Sequence, residues 1–137
     1  MKLVYNNCYG GFGLSDKAIR RYAELKGIKL YEKYDPSNLF NVISFTTIPY
    51  EEYEILYEAD AELGNFSHSN EVYFTDRDIE RDDPFLVQVV EELGEESNGR
   101  CANLQIAVVP AGTLYRIDEY DGNESVLTPD DYKWKIA

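Results

Sequence analysis

A short apolar run, Lys2-Leu3-Val4-Tyr5, gives way at Asn6-Asn7-Cys8-Tyr9 to Gly10-Gly11-Phe12-Gly13, and a helix signal begins at once from Ser15. Three glycines in four residues let the backbone take positive φ and let its N–H groups come close to another surface. Strand, glycine loop and helix start is the order used by phosphate-binding loops, where those N–H groups and the helix dipole face an anion. The loop is not a Walker A sequence, since no Gly-Lys-Ser/Thr follows, and its spacing differs from the dinucleotide fingerprint. Asp16, near the helix start, would repel a bound phosphate. Two readings therefore stand: a tight connection in which Tyr9, Phe12 and Leu14 plug the core, or one wall of a pocket built from Tyr9, Gly10, Gly11, Phe12 and Gly13.

The remaining pattern predicts an α+β chain, a single domain over residues 1–137, with a mixed or largely antiparallel sheet and two to three helices packed on it. Residues 2–7 read as an internal strand, apolar on both faces. Ser15 caps a helix whose apolar positions Ala18, Ile19, Tyr22, Ala23 and Leu25 share a face, and Gly27 ends it. Strands are expected within Ile28 to Tyr34 and Leu39 to Phe45, separated by a turn at Asp35-Pro36-Ser37-Asn38. A helix follows from Tyr50 to Leu63, then a polar loop with His68, then a short strand at Glu71-Val72-Tyr73-Phe74. The clearest helix runs from Pro84 to Glu95, with Asp83 as cap, proline at its first position, and Phe85, Leu86, Val89, Val90 and Leu93 inward. Cys101 to Val109 reads as a strand, Leu114 to Tyr120 as its antiparallel partner, and Ser125-Val126-Leu127 as a short strand after a turn at Asp121-Gly122-Asn123. The tail from Asp131 to Ile136 alternates and suits an edge strand.

Charge is uneven. Residues 1–50 carry 7 basic and 4 acidic side chains, a net of +3, while residues 51–137 carry 6 and 22, a net of −16. So acidic a chain is repelled by phosphate backbones, which excludes general nucleic-acid binding but leaves room for a small anion at the basic end. No stretch reaches the ~18 apolar residues of a membrane span. The start lacks the order of a signal peptide, so no membrane association and a cytoplasmic location are expected. Cys8 and Cys101 stand alone, are expected to be reduced, and Cys101 reads as a core residue. No cofactor and no metal are expected, because Asp76-Arg-Asp78 and Asp118-Glu-Tyr-Asp121 lack the spacing of a calcium loop.

Arginine offers a planar fork for phosphate oxygens, which draws attention to Arg20, Arg21, Arg77, Arg81, Arg100 and Arg116. For Arg77 and Arg81 the plainer expectation is pairing within their own acidic segment, Asp76 to Asp83. Arg116, Asp118 and Tyr120 alternate along one strand, placing a cation, a carboxylate and a ring on one face. That trio could grip a phosphate, a ribose hydroxyl and a base, or form a solvated salt bridge. His68 lacks a placed partner for base catalysis. Twelve tyrosines suit stacking and interfaces as well as sheet surfaces.

The strings NNCYGGFGLS, DIERDDPFLVQVVEELGEESNGRCANLQI and YRIDEYDGNESV, in this order and covering about half the chain, resemble a family of small tailed-bacteriophage and prophage proteins. The group is also similar to the Thoeris anti-defence proteins, which sequester nucleotide signals of bacterial immunity. That resemblance implies a phage-encoded, non-enzymatic homo-oligomer acting in the host cytoplasm. Its ligand would be a small phosphate-containing nucleotide, of the cyclic ADP-ribose-like or cyclic nucleotide type. Tyr9, Gly10, Gly11, Phe12, Gly13, Arg20, Arg21, Arg116, Asp118 and Tyr120 are the expected ligand-binding residues, drawn from the residue pattern rather than from the family. The alternatives are an acidic DNA mimic that inhibits a host nuclease or DNA-binding protein, and an enzyme that processes a nucleotide. The mimic requires Glu91, Glu92, Glu95 and Glu96 to join Asp118 and Asp121 in stripes.

Overall fold

The computed structural model describes residues 1–34, 43–64, 72–132 and 136. It is α+β, with six strands and three α-helices among the described residues: β1 (Lys2–Asn6), α1 (Asp16–Lys26), β2 (Tyr31–Tyr34), β3 (Ile43–Thr46), α2 (Tyr50–Leu63), α3 (Pro84–Leu93), β4 (Leu104–Val108), β5 (Arg116–Tyr120) and β6 (Asn123–Leu127). The strands form three antiparallel pairs, β1 with β4, β2 with β3 and β5 with β6, in place of one continuous sheet. The chain divides into two compact units, residues 1–22 with 76–137, and residues 23–75.

In the first unit, α3 packs on β1 and β4. Leu3, Val4, Leu86 and Val89 are completely buried, each worth roughly 1.5–3 kcal/mol of apolar transfer. Local signals act as expected on the helices. Ser15 Oγ accepts the Ala18 N–H at 3.1 Å and so caps α1. At the other end Gly27, at φ 71°, closes a Schellman motif: its N–H donates to Glu24 O at 3.3 Å, and Ile28 N–H donates to Ala23 O at 2.9 Å. Asp83 Oδ1 caps α3 through the Phe85 N–H at 2.9 Å, its Oδ2 accepts the Tyr22 hydroxyl at 2.7 Å, and Gly94 ends the helix at φ 56°.

Several expectations are corrected. Helix α3 stops at Leu93 and continues to Ser97 as a 3-10 turn. Its inward arc takes Val87, while Phe85 in the first turn is half-exposed. Leu114 to Tyr120 does not return beside the preceding strand. Asp121 (φ 51°) and Gly122 (φ 85°) form a two-residue turn that pairs β5 with β6, Tyr120 opposite Asn123, as the twist of type I′ hairpins favours. Strand β4 instead pairs with β1. Strand β1 is buried, yet β4 is its one strand partner among the described residues. On the opposite edge its even N–H groups find other acceptors: Val4 N–H donates to Arg81 O at 2.8 Å and Asn6 N–H to Glu124 Oε1 at 2.8 Å. Cys101 is exposed rather than core, because it lies in the turn before β4.

The second unit contains the antiparallel β2–β3 pair and α2. Thr46, nearly buried, donates its hydroxyl to Ile48 O at 2.6 Å. Of the expected Glu71–Phe74 strand, Tyr73 makes a single bridge to Thr46, with Phe74 N–H on Phe45 O at 2.9 Å. The predicted turn at residues 35–38, most of the strand from Leu39, the loop with His68 and the tail at residues 133–135 lie outside the described residues.

Candidate functional site

The glycine loop meets the β5–β6 turn. Gly10 N–H donates to Asp121 O at 3.2 Å, and a Cβ on Gly122 would lie 2.3 Å from Gly11 N. Backbone here stands against backbone: Gly122 leaves the space that a side chain would fill, and Gly10 and Gly11 hold positive φ of 115° and 103°. Gly99 is used in the same way against Gly13: its N–H donates to Gly13 O at 2.8 Å, and an added Cβ on it would fall 2.8 Å from the Gly13 carbonyl carbon.

Asn6 organises this junction. Wholly buried, it donates Nδ2–H to Cys8 O and to Gly122 O, both at 2.8 Å, and its Oδ1 accepts the Asn103 N–H at 2.8 Å. One side chain thus ties the end of β1 to the glycine loop, the hairpin turn and the approach to β4. A buried amide is stable here because all of these partners are present.

Beside the junction opens a pocket of about 370 Å³, lined by Gly10, Gly11, Phe12, Arg77, Arg81, Glu119, Gly122 and Glu124. Arg81 forks onto Glu124, Nη1 to Oε1 at 2.5 Å and Nη2 to Oε2 at 2.8 Å, and its guanidinium lies 3.7 Å from the Phe12 ring centre. Planar cation on ring face is a favourable stack, and the carboxylate fork fixes the plane. Glu119 faces Glu124 across the hairpin, and its Oε1 accepts the Gly122 N–H at 3.1 Å. Two arginines and two glutamates balance the lining, so the site suits a ligand with both acceptors and donors rather than a bare anion.

Four of the expected residues come together or stand beside this pocket. Gly10, Gly11 and Phe12 line it, and Tyr9, 61% exposed, precedes it. Gly13 serves the Gly99 contact. Arg20 is exposed on α1, and Arg21 forks onto Glu92, Nε to Oε2 at 2.8 Å and Nη2 to Oε1 at 3.2 Å. Arg116, Asp118 and Tyr120 share the other face of β5: Arg116 Nε sits 3.0 Å from Asp118 Oδ1, and Arg116 borders a separate apolar pocket of about 210 Å³ with Leu114, Tyr115, Leu127, Thr128 and Pro129. The strand does supply a wall to the glycine-loop pocket, but through Glu119, one residue out of phase with that trio. Arg81 also departs from expectation, reaching Glu124 across 43 residues instead of its acidic neighbours.

Glu119 and Glu124 were not singled out from sequence. The signal that finds them is Asp121-Gly122, because a two-residue type I′ loop sets the register that opposes these carboxylates. On α3 and the turn after it, Glu91, Glu92 and Glu96 pair with Lys2, Arg21 and Lys17 at 2.9, 2.8 and 2.7 Å. No group of three or more metal-ligating side chains occurs among the described residues, and none of their helices is long and apolar enough to cross a membrane.

Fold and site together define an α+β protein with a charge-balanced polar pocket at a glycine-loop junction. Comparisons with protein-family models, curated proteins and solved structures return no match for this chain.

Proposed function

We propose that the chain is a non-catalytic binding protein that sequesters a small phosphate-containing nucleotide in the glycine-loop pocket. The observation that carries the reading is the Arg81 guanidinium, stacked 3.7 Å over Phe12 and held in plane by Glu124. It offers a flat platform for a base, while Arg77 supplies a guanidinium for phosphate and Glu119 a carboxylate for ribose hydroxyls. A volume of about 370 Å³ falls in the range of small-ligand sites. The phage resemblance extends the reading to a nucleotide-derived host immune signal, bound by a homo-oligomer in the host cytoplasm. Pairing of Glu91, Glu92 and Glu96 with cations weighs against the DNA-mimic alternative, which needs free carboxylate stripes.

Isothermal titration against ADP-ribose derivatives and cyclic oligonucleotides tests the proposal. Saturable heat with at least one of them is expected, weakened roughly tenfold or more by Arg77→Gln, with the ligand recovered unchanged by mass spectrometry. No heat with any, or binding that Arg77→Gln leaves intact, sinks it; recovery of a converted product favours the enzyme.

A further inference from the structure

The second unit carries an aromatic surface that the nucleotide pocket does not involve. Tyr50, Tyr53 and Tyr57 follow one face of α2, with ring centres 5.7 and 6.1 Å apart, and Tyr73 meets Tyr53 edge-on at 5.2 Å. With Glu54 and Glu58 they line an open pocket of about 550 Å³. A cation of the chain itself already uses this chemistry, since Lys33 Nζ stands 3.0 Å from the centre of the Tyr50 ring.

The electrostatics of α2 call for more positive charge. The helix carries Glu51, Glu52, Glu54, Glu58 and Glu62 and has neither lysine nor arginine. Glu54, Glu58 and Glu62 follow one another at i, i+4 spacing, where like charges destabilise a helix. Glu62 also stands near the C-terminus, against the dipole, with no basic residue in the last turn. Burial, and after it Tyr53, keep the Tyr73 phenol above its ordinary pKa.

We propose that Tyr50, Tyr53, Tyr57 and Tyr73, with Glu54 and Glu58, form a binding site for an aliphatic polyamine. Ring faces attract alkylammonium groups by their quadrupole, and methylene spacers pack on the same rings. The two carboxylates stand one helical turn apart, about 6 Å of rise, which matches the short spacers between polyamine nitrogens. A bound polycation offsets the repulsion along α2, so ligand and helix stabilise each other.

Calorimetric titration of the whole chain with spermidine, with Mg²⁺ as a competitor at matched ionic strength, tests this site. Saturable binding is expected, with Mg²⁺ displacing spermidine poorly because it has no cation–π geometry here. Tyr57→Leu, which keeps an apolar side chain and helix propensity, should weaken binding roughly five- to tenfold, and Glu58→Gln roughly two- to threefold. Circular dichroism should show more helix in the parent on adding spermidine. The proposal is overturned if Tyr57→Leu binds like the parent, if Mg²⁺ displaces spermidine equally well, or if a short oligolysine of equal charge binds more tightly, which would point to a protein ligand.

Discussion

Arg81 and Glu124 form a two-pronged ion pair across 43 residues, with side chains 24% and 9% exposed. The pair lies where the Arg81 carbonyl and the Glu124 carboxylate receive the N–H groups of Val4 and Asn6. It therefore closes the open edge of β1 as well as one side of the pocket. Arg81→Met leaves a nearly buried carboxylate without its cation and should cost about 2–4 kcal/mol in urea unfolding, the lower part of the range reflecting the exposure of Arg81. Glu124→Gln should cost less, because Arg81 reaches water. The double variant should be more stable than the sum of single losses predicts, and strict additivity would refute the coupling.

Gly122 and Gly112 separate conformational strain from steric exclusion. Their φ angles are alike, 85° and 82°, but an added Cβ meets Gly11 N at 2.3 Å in the first and nothing within 4 Å in the second. Gly112→Ala should cost about 1–2 kcal/mol from the left-handed backbone alone. Gly122→Ala should cost clearly more, about 3 kcal/mol or above, and should weaken ligand binding by pushing the hairpin off the glycine loop. Equal losses of thermal stability in the two variants would contradict the packed junction.

Replacing Asn6 with leucine keeps approximate size and removes the three hydrogen bonds that its side chain makes at the junction. Cys8 O, Gly122 O and the Asn103 N–H then lose their partner, at an expected cost of about 3–4 kcal/mol. Hydrogen exchange should register the change locally, as faster exchange at Asn103, while amides in the middle of α2 keep their rates.

The Arg21–Glu92 fork makes stability depend on acid. Arg21, then Gln88, hold the Glu92 carboxyl at about 2, from 4.5. Folding thus lowers this pKa, so the stabilisation is complete above the unfolded value and disappears as pH falls from about 4.5 through about 2. Lys17 acts in the same direction on Glu96. Screening at the surface keeps the effect modest. The gap in melting temperature between the parent and Glu92→Gln should hold steady from neutral pH to about pH 5 and close below it; a gap that persists at the acid end would count against the assignment.

Helix limits were legible because their causes lie within a turn or two of chain. Ser15 and Gly27 bracket α1, Asp83-Pro84 opens α3, and Tyr50 to Leu63 matches α2, whereas α3 ends at Leu93 and not at the expected Glu95. Strand segments were legible too, but their neighbours were not. Alternation tells which residues share a face, and says nothing of which strand lies alongside. The glycine loop showed from sequence that close approach was required. It did not show that the approaching surface is a hairpin turn more than 100 residues away.

By itself, then, the amino-acid order determined where helices start, most of the segments that extend, and that the first dozen residues need glycine, since capping, periodicity and backbone freedom are local properties. Tertiary structure alone decided that β1 takes β4, that Arg81 chooses Glu124 over adjacent aspartates, and that the Glu119 face of the β5–β6 hairpin rather than the Arg116 face lines the pocket. Those choices depend on contacts between residues far apart in the chain, which no local pattern encodes.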